Sequence, residues 1–330
     1  MISMLRAQAG RAGAAWNHFW FEAETGPQMR VFRTCFATLL FIAYSIRSLD
    51  LELFYSDHGL IKLSVLDELV PMSYRYSIFQ LFPSTTALWI GNTVFLGSLL
   101  ALIFGFYPRV AALVASILHI SFLHRNLGAS YGMDTIATFY LLYLCLADYR
   151  DRPQASALAR STTEFVPDLR SVVGSMAFRL SQIQLCVIYG YSGLHKLRGI
   201  YWWKGEGIWS VLANFQMARF DFSWTAHFPF LLTFMSFVSL FWEIYFPALI
   251  WIRPLRYPLL VFGVLFHLGI GISISIPFFA AVMILIYILY VDAAHCAMAE
   301  RYFLAKIQSI HFFRKGFRKV SLGHTEEISV

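Results

Sequence analysis

Charge is scarce in this chain. Only 14% of its 330 residues are Asp, Glu, Lys or Arg, where a soluble domain carries roughly 25%. So few charges cannot clothe a water-facing surface. With 58% of residues hydrophobic, including 32 Phe, lipid has to replace water around much of the fold. Cysteine is scarce too. Cys35, Cys145, Cys186 and Cys296 all lie in or beside apolar stretches, without a CxxC pair. They read as small buried hydrophobes, and neither a disulfide framework nor a cysteine metal site is expected. No glycine-rich phosphate loop follows a strand pattern, and no GxSxG occurs. HxxH, HxxxH and HExxH are missing as well. His119 and His124 are five apart and so fall on different helix faces, and no metal is predicted. The opening "MISMLRAQAGRAGAAWNHFW" lacks a long apolar region with a cleavage site. Targeting is therefore expected to fall to the first membrane span.

What the chain does have is a series of apolar stretches. A spanning helix needs about 20 mostly apolar residues. Eight candidates fit: roughly 31–49, 85–106, 109–123, 135–147, 172–193, 230–252, 257–275 and 277–292. The predicted fold class is all-α, a polytopic transmembrane bundle of about eight spans. Residues 1–29 form an N-terminal cytoplasmic or interfacial segment, 30–292 the membrane domain and 293–330 a basic tail. With eight spans both termini share one side. That side collects 16 of the 26 Lys and Arg residues and the opposite side 7, which puts both termini in the cytoplasm. The tail "RYFLAKIQSIHFFRKGFRKV" mixes bases with Phe and Ile and suits an anionic leaflet better than a nucleic acid.

On this topology three unusual loops lie on the non-cytoplasmic side: "LFYSDHGLIKLSVLDEL", "LHRNLGASYGMD" and "SGLHKLRGIYWWKGEGIWS". His267 rises toward the same side. These elements are expected to converge on an outward-facing pocket lined by Arg125, Asn126, Asp134, Tyr191, Trp203 and His267.

Lys196 is the central question. It is either a lysine snorkelling at a helix end among interfacial aromatics, or one drawn out of water by Tyr189, Tyr191, Trp202 and Trp203. Burial disfavours an ammonium and makes a lysine a usable general base. His195 would pass protons onward or fix the geometry. Gly190, Gly193 and Gly199 would allow close approach. Glu243, Arg179 and Arg33 fall inside spans, where a charge is expensive and normally paired. Glu243 with Arg179 is the expected ion pair, and Arg33 the second candidate. Asp134 is expected to neutralise Arg125 or orient a histidine. A lone His119 on an apolar helix reads as a core residue. A transporter using Glu243 and Arg179 fits less well, since no paired broken helices or inverted repeat is visible.

Five blocks carry a family resemblance. They are "FRTCFATLLFIAYSIRSLDLELFYSDHGLI", "HRNLGASYGMD", "RLSQIQLCVIYGYSGLHKLRGIYWWKGEGI", "WEIYFPALIWIRPLR" and "FHLGIGISISIPFFAAVMILIYI". In this order they resemble the HTTM domain, the membrane domain shared with vitamin K-dependent gamma-carboxylases. In those enzymes a lysine in an "AG-hydrophobic-KKL" block is regarded as the base that deprotonates reduced vitamin K. The corresponding stretch here is Ser192-Gly193-Leu194-His195-Lys196-Leu197, so the resemblance makes Lys196 the base and puts His195 where the family has a preceding lysine. It implies a reduced quinone, oxygen and a peptide or small acidic substrate at the outer membrane face. Two departures stand out. Met133 occupies a position where the family often has Gly, and the large extra-membrane part of the animal carboxylases has no counterpart after residue 292. Short family members also resemble an HTTM protein needed to mature a secreted sporulation-delaying toxin. That parallel implies a bacterial inner-membrane location. It also implies an alternative role as a non-enzymatic maturation or export factor, with a secreted peptide and a partner maturation protein.

Overall fold

The computed structural model describes residues 2–21, 26–71, 75–150, 168–303 and 305–306. Ten helices of ten residues or more carry the described part of the chain. They are α1 (Ile2–Phe21), α2 (Gly26–Arg47), α3 (Thr85–Phe104), α4 (Pro108–Arg125), α5 (Gly132–Leu146), α6 (Leu169–Lys196), α7 (Pro229–Leu249), α8 (Arg253–Ser273), α9 (Pro277–Ile286) and α10 (Ala293–Phe303). Among the described residues the only β pairing is an isolated antiparallel bridge between Ala218 and Ile274. Backbone polar groups in lipid must be satisfied within each segment, and an apolar chain meets that demand with helices.

Local chemistry sets the helix ends. Ser84 caps α3 by accepting from the Ala87 amide at 3.1 Å, and Asp168 caps α6 through Ser171 at 2.8 Å. Proline opens α4, α7, α8 and α9 at the first turn, where its missing N–H is not needed. Gly105 ends α3 in the left-handed region at φ 77°.

Each of the eight apolar stretches is helical. Five helices are long and apolar enough to cross a membrane: α2 with its extension to Tyr55, α3, α6, α7 and α8. A sixth span is obtained if the segment Pro277–Tyr290 and α10, bent by 115°, count together. Outside the five are α5, whose 15 residues reach about 22 Å against the ~30 Å of a hydrocarbon core, and α4, whose apolar run is interrupted by His119 and bounded by Arg109 and Arg125. The fold is thus a multi-pass membrane bundle with five or six candidate spans. Only 17% of the apolar window of α8 is buried within the protein, so most of its surface is left for lipid.

The helices run antiparallel in sequence, giving the bundle two ends. Arg47, Arg125 and Lys196 close helices at one end. Arg30, Leu146 and Tyr290 lie at the other. Helix α2 packs on α3 and α9, α4 on α3 and α5, and α6 on α1, α5 and α7. Phe32, Phe36, Phe95, Tyr140, Leu185 and Phe246 fill the centre. Of the expected basic tail, Arg301 and Lys306 are described. Arg314, Lys315, Arg318 and Lys319 lie outside the described residues, as do Arg152 and Arg160.

Candidate functional site

The α6–α7 contact builds the site. Helix α6 carries glycines one turn apart at 190 and 193, and α7 lies directly on them. A Cβ at Gly193 would sit 2.8 Å from Ile244 Cγ1 and 3.0 Å from the Ile244 amide nitrogen. One at Gly190 would meet Pro247 Cγ at 3.4 Å. With no side chain between the backbones, the next residue on that face, Lys196, reaches α7. Its Nζ donates to Glu243 Oε1 at 2.5 Å. The ammonium also lies 4.7 Å from the centre of the Trp202 ring, a cation–π contact. Lys196 keeps 21% of its side-chain exposure, and Glu243 keeps 5%. The lysine is therefore engaged from below by a carboxylate and from the side by an indole.

This pairing corrects the expected Glu243–Arg179 pair. Arg179 lies toward the opposite end. It donates to Phe19 O at 2.8 Å and Gln182 Oε1 at 2.8 Å, so its charge rests on the C-terminal carbonyls of α1. Arg33 is not a partner of Glu243 either. Its guanidinium donates to Thr34 Oγ1, lies 5.2 Å from the Tyr149 ring centre and fills the space that a Cβ on Gly105 would take.

Beneath the pair lies a buried polar cluster. Tyr189 Oη meets His267 Nε2 at 2.7 Å and bonds Tyr287 Oη. Glu243 is within electrostatic reach of both tyrosines, and Lys196 of His267. Glu243 Oε2, His267 Nδ1 and Trp242 Nε1 are buried without a hydrogen-bond partner, with the Ser192 hydroxyl beside the Glu243 carboxylate. Such orphans are rare in folded proteins and mark strain, water or a ligand. Trp242 packs on Tyr189 with ring centres 4.6 Å apart. Its other side lines an apolar groove of about 300 Å³ between α7 and α8, formed with Val238, Leu249, Leu255, Pro258, Leu259 and Phe262.

Lys196, Glu243 and His267 are thus brought together, with Tyr189, Tyr287 and Trp202 as neighbours. Tyr287 was missed by the sequence reading. Its hydroxyl fits where Gly263 offers no Cβ, the position such an atom would occupy being 2.2 Å away. His195 and Tyr191 point elsewhere, stacking on each other at 6.0 Å on the exposed face of α6. Adjacent residues on a helix are about 100° apart, so His195 cannot share the lysine's face. Trp203 is exposed and donates to Leu197 O at 2.6 Å.

Arg125, Asn126 and Asp134 form a second centre. Arg125 donates to Ile61 O at 3.1 Å and Asn126 to Phe54 O at 2.6 Å, gripping the "YSDHG" loop. Asp134 accepts two bonds from Arg47, at 2.9 and 3.2 Å. It also accepts from Tyr44 at 2.9 Å and from the Tyr131 amide at 3.0 Å. Arg47, not Arg125, neutralises it. His119 Nε2 lies 2.9 Å from Asp134 O and its Nδ1 2.8 Å from Tyr44 Oη. None of these hydrogen bonds reaches the Lys196 cluster. Phe279 lies between the two centres: it touches the Cβ position of Gly132 and faces His267 at 6.0 Å. The single pocket expected from the loops is therefore two centres.

The class defined so far is a multi-pass helical membrane protein with a buried, incompletely satisfied ion-pair site. Comparison with protein-family models, curated proteins and solved structures finds no match for this chain.

Proposed function

We propose that the chain is a membrane enzyme of the HTTM type, with eight spans and both termini in the cytoplasm, which takes a proton from a membrane-soluble hydroquinone at the Lys196–Glu243 pair. The observation that carries this reading is the trio of unpartnered atoms Glu243 Oε2, Trp242 Nε1 and His267 Nδ1, with Trp242 also lining an apolar groove between α7 and α8. An apolar molecule with one or two oxygens satisfies both features. A reduced quinone would supply a weakly acidic phenolic hydroxyl there.

The pair, rather than Lys196 alone, is the proton-accepting unit. An ammonium held 2.5 Å from a carboxylate is no base while it stays charged. Glu243 Oε2, buried and not bonded to Lys196, is the acceptor. With a hydroquinone bound, Glu243 would be placed to take its hydroxyl proton and the Lys196 ammonium to hold the negative charge left behind on its oxygen. Trp242 Nε1 is the second donor for that oxygen. Such preorganised charge is strongest where water is excluded. On the topology proposed here the pair sits near the outer face, and the basic residues of the opposite end face the cytoplasm.

The test is oxygen-dependent consumption of a reduced naphthoquinone by the purified protein in lipid, dioxygen accepting the two electrons released. Wild-type protein consumes it, and Lys196→Ala and Glu243→Gln do not. Consumption unchanged in both variants refutes the site. Consumption absent in natively folded wild type favours the maturation factor for a secreted peptide.

A further inference from the structure

The polar groups do not stop at the Lys196–Glu243 pair. Tyr189, Cys186, Gln182 and Arg179 follow one another down α6 at spacings of three and four, a single helix face. The 3₁₀ turn Tyr287–Tyr290 lies against that face and, with three residues per turn, points both of its terminal tyrosines the same way. Tyr189 Oη is bonded to His267 and Tyr287. One turn on, Tyr290 Oη meets Cys186 Sγ at 3.4 Å and donates to Gln182 O at 2.5 Å. Past Tyr290 the chain reaches the surface at the opposite end of the bundle. There Tyr257 Oη donates to Asp292 Oδ2 at 2.9 Å and meets His295 Nδ1 at 3.2 Å. Three hydrogen-bonded groups thus follow one another from the pair to the far surface: Tyr189 with His267 and Tyr287, Tyr290 with Cys186, and Tyr257 with Asp292 and His295.

We infer that this stripe is a proton relay joining the Lys196–Glu243 pair to the opposite face of the membrane. Every hydroxyl in it can accept one proton and donate another. A proton taken up at one end is matched by one released at the other, and no electron moves. The junction between pair and stripe is where the network is open: Glu243 Oε2 and His267 Nδ1 have no hydrogen-bond partner there, and the Ser192 hydroxyl lies beside the Glu243 carboxylate. Other titratable groups against the stripe are Tyr140 on α5, which donates to Ser181 O at 2.9 Å as Tyr290 donates to Gln182 O, and Arg256 beside Arg179. The relay rests on the same ion pair as the proposed function but not on its substrate.

The experiment uses the whole protein in phosphatidylcholine–phosphatidylglycerol vesicles with a trapped pH dye. A potassium gradient and valinomycin impose the potential. Wild type is expected to acidify the lumen faster than protein-free vesicles do. Tyr189→Phe keeps the ring, removes the central hydroxyl and returns the rate to the protein-free level. Tyr290→Phe interrupts the path independently should Tyr189→Phe fold poorly. Tyr191→Phe, on the exposed face of the same helix, leaves the rate unchanged. A wild-type rate equal to that of empty vesicles overturns the relay, as does full flux in both interrupted variants. Flux without hydroquinone consumption sinks the enzymatic reading alone, and consumption without flux sinks the relay alone.

Discussion

Lys196 Nζ lies 2.5 Å from Glu243 Oε1, across a helix contact where Gly193 on α6 leaves no side chain in front of the Ile244 amide of α7. The ion pair and the glycine are one device. The absent Cβ lets the helices close, and the closed helices put a carboxylate within reach of a lysine that ends its own helix. Each half therefore predicts what happens when the other is disturbed.

Breaking a buried pair from one side leaves a charge without compensation, at a cost of about 3–5 kcal/mol, whereas replacing both partners with apolar residues is often close to neutral. Lys196→Met and Glu243→Leu should each lower the unfolding midpoint in detergent. The double variant should recover most of the loss while staying inactive toward hydroquinone. Two losses that simply add would show that the pair does not couple in solution.

The two glycines give a sharper contrast. At Gly193 a methyl group meets backbone at 3.0 Å, which cannot yield without moving a helix. At Gly190 it meets a proline ring carbon at 3.4 Å, an ordinary contact. Gly193→Ala is expected to destabilise by about 1–3 kcal/mol, the usual range for overpacking, and to impair activity. Gly190→Ala should stay near wild type. Chemical-denaturant unfolding of the two variants side by side decides this, and equal effects would contradict the close approach.

How much of this was legible in the sequence follows from how local each cause is. The apolar stretches are local, and every one of them is helical. Lys196 and His267 stood out because polar residues are conspicuous on apolar helices. Pairing is not local. Glu243 was matched to Arg179 because both lie inside apolar runs, yet the register of α6 against α7 is set by Gly190 and Gly193 and brings Lys196 to the acid instead. Asp134 was matched to Arg125 by proximity in sequence, but Arg47, 87 residues away, holds it. Tyr287 carried no signal at all, being one aromatic among many. The reason it matters is the missing Cβ of Gly263 on another helix.

Arg47 and Asp134 support a third prediction. Asp134 has no exposure, and Arg47 grips both of its oxygens in the planar fork that only a guanidinium offers. Arg47→Lys should fail to rescue folding, because one ammonium cannot replace two parallel bonds. Expression and monodisperse elution of Arg47→Lys beside Arg125→Lys make the comparison. Arg125 donates to the Ile61 carbonyl, which a lysine can also do, so normal behaviour of both variants would remove the bidentate requirement.

The last prediction concerns acid. Outside the membrane-spanning helices, Asp148 and Asp168 flank the start of α6 and share Arg150, at 2.8 and 3.0 Å. Burial alone would raise the Asp148 carboxyl, but its bonds from Arg150 and the nearby Arg170 outweigh this and hold it below the usual range. The Ser171 amide and Arg150 do the same for Asp168. A depressed carboxylate stabilises the fold where it is ionised. That contribution is therefore complete above the unfolded value of about 4 and fades as pH falls through the lower folded values. Unfolding midpoints should be level from neutral pH down to about 5 as far as these groups are concerned, and fall below about 4. Asp148→Asn should flatten the acid arm and lower the neutral plateau, since Arg150 and Arg170 then lose the carboxylate they share. Arg150 is partly exposed, so added salt should shrink the difference between wild type and variant. An acid arm that keeps its full depth in Asp148→Asn would place the acid sensitivity elsewhere in the bundle.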